Sequence, residues 1–190
     1  MKTTSVMIVG VGGQGSLLAS KLLGNLLVGC GYDVKVSEVH GMSQRGGSVV
    51  TYVRFGDKVY SPIVAKGEAD IIISFERLEA ARYAAFLKKD GKIIVNTQTI
   101  DPMPVIIGAA EYPVNVISEL TDKGLFVEEL DALSLAEQAG SSKAVNIVLM
   151  GRAAKYFGIP YEKWIEAIEK TVKPSFVEMN KKAFDLGYNS

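Results

Sequence analysis

The sequence predicts an α/β fold: a single doubly wound, mostly parallel sheet with helices on both faces and a helical C-terminal segment. Three observations carry this. Continuous apolar runs rich in β-branched residues recur at 5–9 (SVMIV), 70–74 (DIIIS) and 92–96 (KIIVN), the signature of strands covered on both sides. Segments with helical patterning alternate with them, as in β-α-β units. The last quarter, from residue 141 onward, reads as helical. With 190 residues the chain suits one domain, 1–190.

The elements follow in order. Strand 5–9 ends in glycines and leads into a leucine-rich helix over 16–28. Residues 34–39 form the second strand. Residues 48–55 alternate and meet a Gly56-Asp57 turn before 58–60, which predicts a hairpin or an antiparallel excursion. After strand 70–74, Ser74 is placed to cap a helix over 76–89 that Gly91 ends. Strand 92–96 follows, then a short strand over 114–117. Ser141 or Ser142 caps a helix reaching Phe157, stopped by Gly158 and Pro160. An amphipathic helix over 161–172 carries Trp164, Ile165 and Ile168. A last helix over 175–186 carries Phe176, Met179 and Phe184 on one side and ends at Gly187. Trp164 and these aromatics read as core.

Composition narrows the function. Lys plus Arg equals Asp plus Glu at 21 each, giving zero formal charge, with no basic footprint for nucleic acid and no charged tail. The one cysteine, Cys30, follows a leucine-rich run and reads as a buried thiol. It allows no internal disulfide and no cysteine-held cluster. No apolar stretch is long enough to span a membrane, and no secretory leader is visible. A cytoplasmic protein is expected, with neither nucleic acid nor membrane as partner.

Two loops carry the chemistry. Gly10-x-Gly12-x-x-Gly15, with a strand before and a helix after, is the glycine pattern of a Rossmann-like sheet. Such glycines allow a tight turn and let backbone N–H groups approach a phosphate at the positive helix end. They also permit a plain tight crossing from strand to helix; the strand before and the helix after favour the phosphate or cofactor contact, and the other reading stays open. Gly12, Gly13, Gln14 and Gly15 are the cofactor-binding candidates; the Gln14 amide can meet a ligand or the neighbouring loop. The second loop is Glu38-Val39-His40-Gly41-Met42-Ser43-Gln44-Arg45-Gly46-Gly47-Ser48. Glu38 stands near the end of the second strand, where a ribose-binding acid would sit. His40, the chain's single histidine, shares a strand face with it. Arg45 offers a planar fork for carboxylate or phosphate, and the glycines after it permit close backbone approach. Ser43, Gln44, Arg45, Gly46 and Gly47 are the substrate-binding candidates.

Further polar residues are candidates for secondary or partner contacts. Asn96 opens the segment Asn96-Thr97-Gln98-Thr99 at the same sheet edge as the glycine loop. Lys143 and Asn146, at i and i+3, fall on one face of a helix. No catalytic residue and no metal ligand set is legible. There is no thiamine diphosphate signature, no GxxxxGK[ST] phosphate loop, no HExxH, and no second histidine for a triad.

The two loops together resemble the gamma subunit, or gamma domain, of 2-oxoacid:ferredoxin oxidoreductases. The run Met42-Ser43-Gln44-Arg45-Gly46-Gly47 is similar to the indolepyruvate branch, whose small chain is its beta subunit; other gamma subunits carry different residues before Arg-Gly-Gly. The likeness covers nearly the whole chain, including the helical end opened by Lys143-Ala144-Val145-Asn146. It implies a subunit of an enzyme that oxidatively decarboxylates an aryl 2-oxoacid with coenzyme A as co-substrate, giving acyl-coenzyme A and reduced ferredoxin. It implies that thiamine diphosphate and [4Fe-4S] clusters belong to a large alpha subunit. This chain would be inactive alone, would bind no cofactor by itself, and would reach ferredoxin through the complex. Arg45 would contact an anionic group, with the Gly12–Gly15 backbone lining the same cleft. Two rival readings stand beside it: a stand-alone NAD(P)-dependent oxidoreductase, and a non-catalytic Rossmann-like scaffold subunit.

Overall fold

The computed structural model describes residues 3–40 and 47–190, and of His40 the backbone alone. Among the described residues six strands form one sheet: β1 (Thr4–Val11), β2 (Asp33–His40), β3 (Ser48–Gly56), β4 (Ala69–Ser74), β5 (Leu87–Asn96) and β6 (Phe126–Leu130). Their order is β2-β3-β1-β4-β5-β6. β1, β4, β5 and β6 pair in parallel, and β3 runs antiparallel to both neighbours. The mostly parallel sheet expected from the apolar runs is what forms.

The period-two alternation of the strands sorts side chains onto two faces. Val6, Ile8, Val53, Ile73 and Ile94 point to one face. They are covered there by α1 (Ser16–Gly29), α5 (Ala132–Ala139), α6 (Val145–Ala154), α7 (Tyr161–Thr171) and α8 (Val177–Asn189). Met7, Val9, Val50, Ile72 and Ile93 point to the other. It is covered by α2 (Arg77–Tyr83) and α4 (Val116–Asp122), while the one-turn α3 (Met103–Ile106) lies outside this core.

Several elements differ from the sequence expectation, each for a physical reason. The helix expected over 76–89 ends at Tyr83. Its cap is Glu76, whose carboxylate accepts from the Glu79 N–H, while Ser74 Oγ bonds the Glu76 carbonyl. The chain then turns through a short 3-10 stretch, and β5 begins at Leu87, paired with Ala69. Gly91 therefore lies inside a strand, where a Cβ would stand 3.0 Å from the Ala69 carbonyl oxygen. Residues 58–60 form no strand; β3 pairs with β2 and β1 instead. Val59 N–H is held by the Asp33 carboxylate and Arg54 holds the Ile63 carbonyl.

The strand expected over 114–117 is absent, since α4 starts at Val116. The sixth strand is Phe126–Leu130. Its two glutamates disguise it in the sequence, yet Glu128 is bonded by Arg152 and Tyr156 and Glu129 by Arg77.

Ser141 caps a 3-10 turn rather than an α-helix, and α6 starts at Val145 and closes at Ala154. Gly187 does not stop the last helix. α8 runs to Asn189, and Gly187 lets it cross α6 closely: a Cβ there would lie 1.9 Å from the Val148 carbonyl oxygen. Trp164 and Phe184 are core, whereas Phe176 is half exposed. Cys30 is only partly buried, at the C-terminal end of α1.

Candidate functional site

Parallel strands β1, β4 and β5 end at one sheet edge, and the polar residues there come from the segment that follows each. After β1 the chain makes the glycine loop. Gly13 (φ 100°) and Gly15 (φ 88°) adopt left-handed conformations that side chains rarely tolerate. Gly15 caps α1, whose first turn holds no acid, so the positive end of its dipole stands without a local counter-charge. The N–H groups of Val11, Gly12 and Gln14 are taken by Gln14 Oε1, the Gly47 carbonyl and the Val11 carbonyl. Those of Gly13 and Gly15 meet no acceptor among the described residues.

The structure brings the two loops together. Gly12 N–H donates to the Gly47 carbonyl at 2.9 Å. Antiparallel β3 makes this possible by setting Ser48 opposite Val11. Gly47 is thus placed at the glycine loop. Ser43, Gln44, Arg45 and Gly46 lie outside the described residues, as does the His40 side chain; the His40 backbone ends β2 opposite Val49.

Asn96 and Asn146 are both buried and both serve this edge. Asn96 Nδ2 donates to the Phe75 carbonyl and its Oδ1 accepts from Ala132 N–H. Asn146 Nδ2 donates to the Gly15 carbonyl at 3.2 Å, holding the start of α1 against α6. The Gln14 amide is engaged by Val11, Phe75 and Gln98, so of its two sequence-level roles the structure displays the loop contact.

Two candidates lie elsewhere. Lys143 sits in the 3-10 turn over Ser142–Ala144, whereas Asn146 is buried in α6. Lys143 is exposed and lines an apolar groove of about 390 Å³ with Leu18, Val172, Phe176 and Met179. Glu38 is exposed on the edge strand and accepts from Thr51 Oγ1 at 3.2 Å. β3 separates it from β1, so at roughly 4.8 Å per strand it stands about 10 Å away laterally. Thr51 is level with Ile8, below the glycine loop. The neighbouring acid that a dinucleotide ribose requires is not formed by Glu38.

Sequence reasoning missed the roles of Glu76, Tyr112 and Ser48 here. Glu76 is 1% exposed, yet its carboxylate is satisfied by Glu79 N–H, Ile100 N–H and the Tyr112 hydroxyl. Burial, then the bond to Glu76, pushes the Tyr112 phenol well above its ordinary value. Ser48 bonds the buried Glu79 carboxylate and lies 3.3 Å from the Tyr83 hydroxyl, anchoring the end of the second loop. An acid directly after an apolar strand end was the available signal for Glu76. Among the described residues no three of His, Cys, Asp and Glu gather as a metal site, and no helix is long and apolar enough to cross a membrane.

The sequence matches the family described as pyruvate ferredoxin/flavodoxin oxidoreductase over residues 5–190. It is 47% identical to the indolepyruvate oxidoreductase subunit IorB of Pyrococcus horikoshii, covering 98% of this chain and 95% of that protein. The fold is similar to that of a pyruvate oxidoreductase subunit of Thermotoga maritima, with TM-score 0.75 and 21% identity over 100% of this chain and 97% of that one. It also resembles part of the 2-oxoglutarate:ferredoxin oxidoreductase of Magnetococcus marinus, solved with 2-oxoglutarate, coenzyme A and succinyl-CoA. That likeness has TM-score 0.76 at 18% identity and covers 100% of this chain but 31% of the larger one.

Proposed function

The chain belongs to the pyruvate ferredoxin/flavodoxin oxidoreductase family, and from that premise we propose that it is the small subunit of a 2-oxoacid:ferredoxin oxidoreductase acting on indolepyruvate and related aryl pyruvates. The observation that carries this reading is the near-full-length likeness to an indolepyruvate oxidoreductase subunit. In the reaction the bond between the carboxyl and carbonyl carbons breaks and carbon dioxide leaves. The acyl group passes to the coenzyme A thiol and two electrons pass to ferredoxin. Thiamine diphosphate would supply the carbanion stabilisation and iron–sulfur clusters the electron path. The residues of this chain do not fit either group: it has a single cysteine, and among its described residues no three of His, Cys, Asp and Glu gather to hold a metal ion. Both are assigned to the large alpha subunit, through which ferredoxin is reached.

The contribution of this chain is to wall and orient, as a single gamma-type domain over 1–190. Gly13 and Gly15 offer backbone N–H groups at the positive end of α1 to an anionic group of coenzyme A or of the 2-oxoacid. Arg45 supplies the side-chain counter-charge from the second loop, and Gly47 fixes that loop to Gly12. The position of Glu38 favours this reading over a nicotinamide enzyme.

The test is anaerobic affinity purification of the tagged chain from its native host. A large partner carrying iron and thiamine diphosphate is expected, and the complex should reduce ferredoxin with indolepyruvate and coenzyme A. In that complex Arg45→Ala should raise the apparent KM for coenzyme A or the 2-oxoacid. A chain that purifies alone and colourless from cells expressing the partner would sink the proposal.

A further inference from the structure

We infer that Gln98 is a positioning residue: acting through the Gln14 carboxamide, it sets the shape of the glycine loop, and that carboxamide is not offered to a ligand. This rests on the reading above, in which that loop meets coenzyme A or the 2-oxoacid. Gln14 Oε1 accepts from Val11 N–H at 2.7 Å. Its Nε2 donates to the Phe75 carbonyl at 3.2 Å and to Gln98 Oε1 at 3.1 Å. One side chain therefore ties the ends of β1 and β4 to the segment after β5.

Donor and acceptor chemistry fixes the direction of every bond. A backbone N–H only donates and a carbonyl only accepts, so the Gln14 oxygen faces Val11 and its nitrogen faces Phe75. Asn96 is fixed in the same way, its oxygen toward Ala132 N–H and its nitrogen toward Phe75. Asn96 Nδ2 also lies 3.4 Å from Gln98 Oε1. The Phe75 carbonyl and Gln98 Oε1 are thus each shared by the same two amide nitrogens, which leaves Gln98 one orientation. Gly10 makes the room: a Cβ there would stand 2.7 Å from Gln14 Oε1 and 3.0 Å from Phe75 Cβ. Gln98 touches the glycine loop through Gln14, so its removal must be felt at Val11.

The polarity of the network distinguishes isosteric changes. Gln98→Glu keeps an acceptor where Gln14 and Asn96 both donate, and Gln98 is partly exposed. Gln14→Glu sets a carboxylate oxygen against the Phe75 carbonyl and Gln98 Oε1, where only a donor fits.

The experiment uses the complex with the large subunit, carrying Gln14→Met, Gln98→Met, the double variant, or either glutamate variant. Each methionine variant should raise the apparent KM for coenzyme A or the 2-oxoacid by about tenfold, the scale of at least one lost hydrogen bond, with kcat little changed. The double variant should be no worse than Gln14→Met alone, because Gln98 reaches the loop through Gln14. Gln98→Glu should stay near wild type while Gln14→Glu does not. Amide exchange at Val11 and Gly12 should be faster in Gln98→Met without any substrate present. Wild-type KM values for Gln98→Met beside an impaired Gln14→Met would overturn the inference, as would unchanged exchange. If the wild-type complex turns over no 2-oxoacid, the functional reading fails by that result, and the exchange measurement still decides the Gln98 link.

Discussion

The Gly12 N–H and the Gly47 carbonyl, 35 positions apart, are hydrogen-bonded at 2.9 Å. The bond continues the β1–β3 ladder one step past its last registered pair, Val11 and Ser48. It makes the two motif loops one structural unit. The inserted antiparallel strand that creates this contact also moves Glu38 to the sheet edge. One topological choice therefore both builds the two-loop edge and removes the ribose-binding arrangement from it.

Ser48 fastens the second loop from the opposite face of the sheet. Its hydroxyl bonds the Glu79 carboxylate, which is 4% exposed and otherwise paired with Arg82. Ser48→Ala leaves that carboxylate one donor short, which costs about 1–2 kcal/mol. Urea unfolding of the subunit should show this loss. In the complex the same variant should raise the KM of whichever substrate Arg45 contacts; an unchanged unfolding midpoint would refute the anchoring role.

Asn146 holds α6 to the start of α1. Its Nδ2 bonds the Gly15 carbonyl and its Oδ1 accepts from Ile147 N–H, with the residue 2% exposed. Asn146→Ala should destabilise the fold by about 1–3 kcal/mol, the cost of leaving buried polar groups unmet. Asn146→Asp keeps the acceptor but turns an oxygen toward the Gly15 carbonyl, so it should be the worse of the two. Equal stability of wild type and Asn146→Asp would contradict the geometry.

Gly151 and Gly187 set the crossing of α6 and α8. A Cβ at Gly151 would lie 2.2 Å from the Phe184 carbonyl oxygen, and one at Gly187 would lie 1.9 Å from that of Val148. Backbone cannot yield as a side chain can, so either alanine substitution should cost about 3 kcal/mol or more, or abolish folding. Gly29, in α1, has nothing within 4 Å of its Cβ position. Gly29→Ala is the control, with a change within about 0.5 kcal/mol or a small gain. Thermal unfolding of all three variants checks the contrast.

These positions also show what the sequence could reveal. The first strand, the glycine loop and α1 were legible because an apolar run, a glycine turn and a leucine helix are local signals. β6 was not, since Glu128 and Glu129 look solvated until Arg152, Tyr156 and Arg77 are brought to them. Gly187 looked like a helix stop because its reason for being glycine is the Val148 backbone, 39 positions earlier. At the site, the glycines and the second loop announced themselves by composition. The choice between ligand and neighbouring loop for Gln14 could not be made, as its partners Phe75 and Gln98 lie 61 and 84 positions away.

Tyr156 and Tyr161 contribute, beside Tyr112, to an alkaline limit of the fold. Tyr156 is pushed up to about 12 by burial, then by its bond to Glu128, and Tyr161 to about 12 by burial, then by its bond to Asp185. An unfolded tyrosine titrates near 10. A folded value above the unfolded one means that the neutral phenol is favoured in the fold. The contribution is complete below pH 10 and is lost as pH rises toward about 12. Through these groups, stability should be flat from pH 7 to 9 and fall above 10. Tyr156→Phe and Tyr161→Phe cannot ionise there, so the double variant should begin less stable at pH 8 and lose less between pH 10 and 12. Unfolding midpoints taken across that range decide it: parallel declines for wild type and double variant would show that other groups set the alkaline limit.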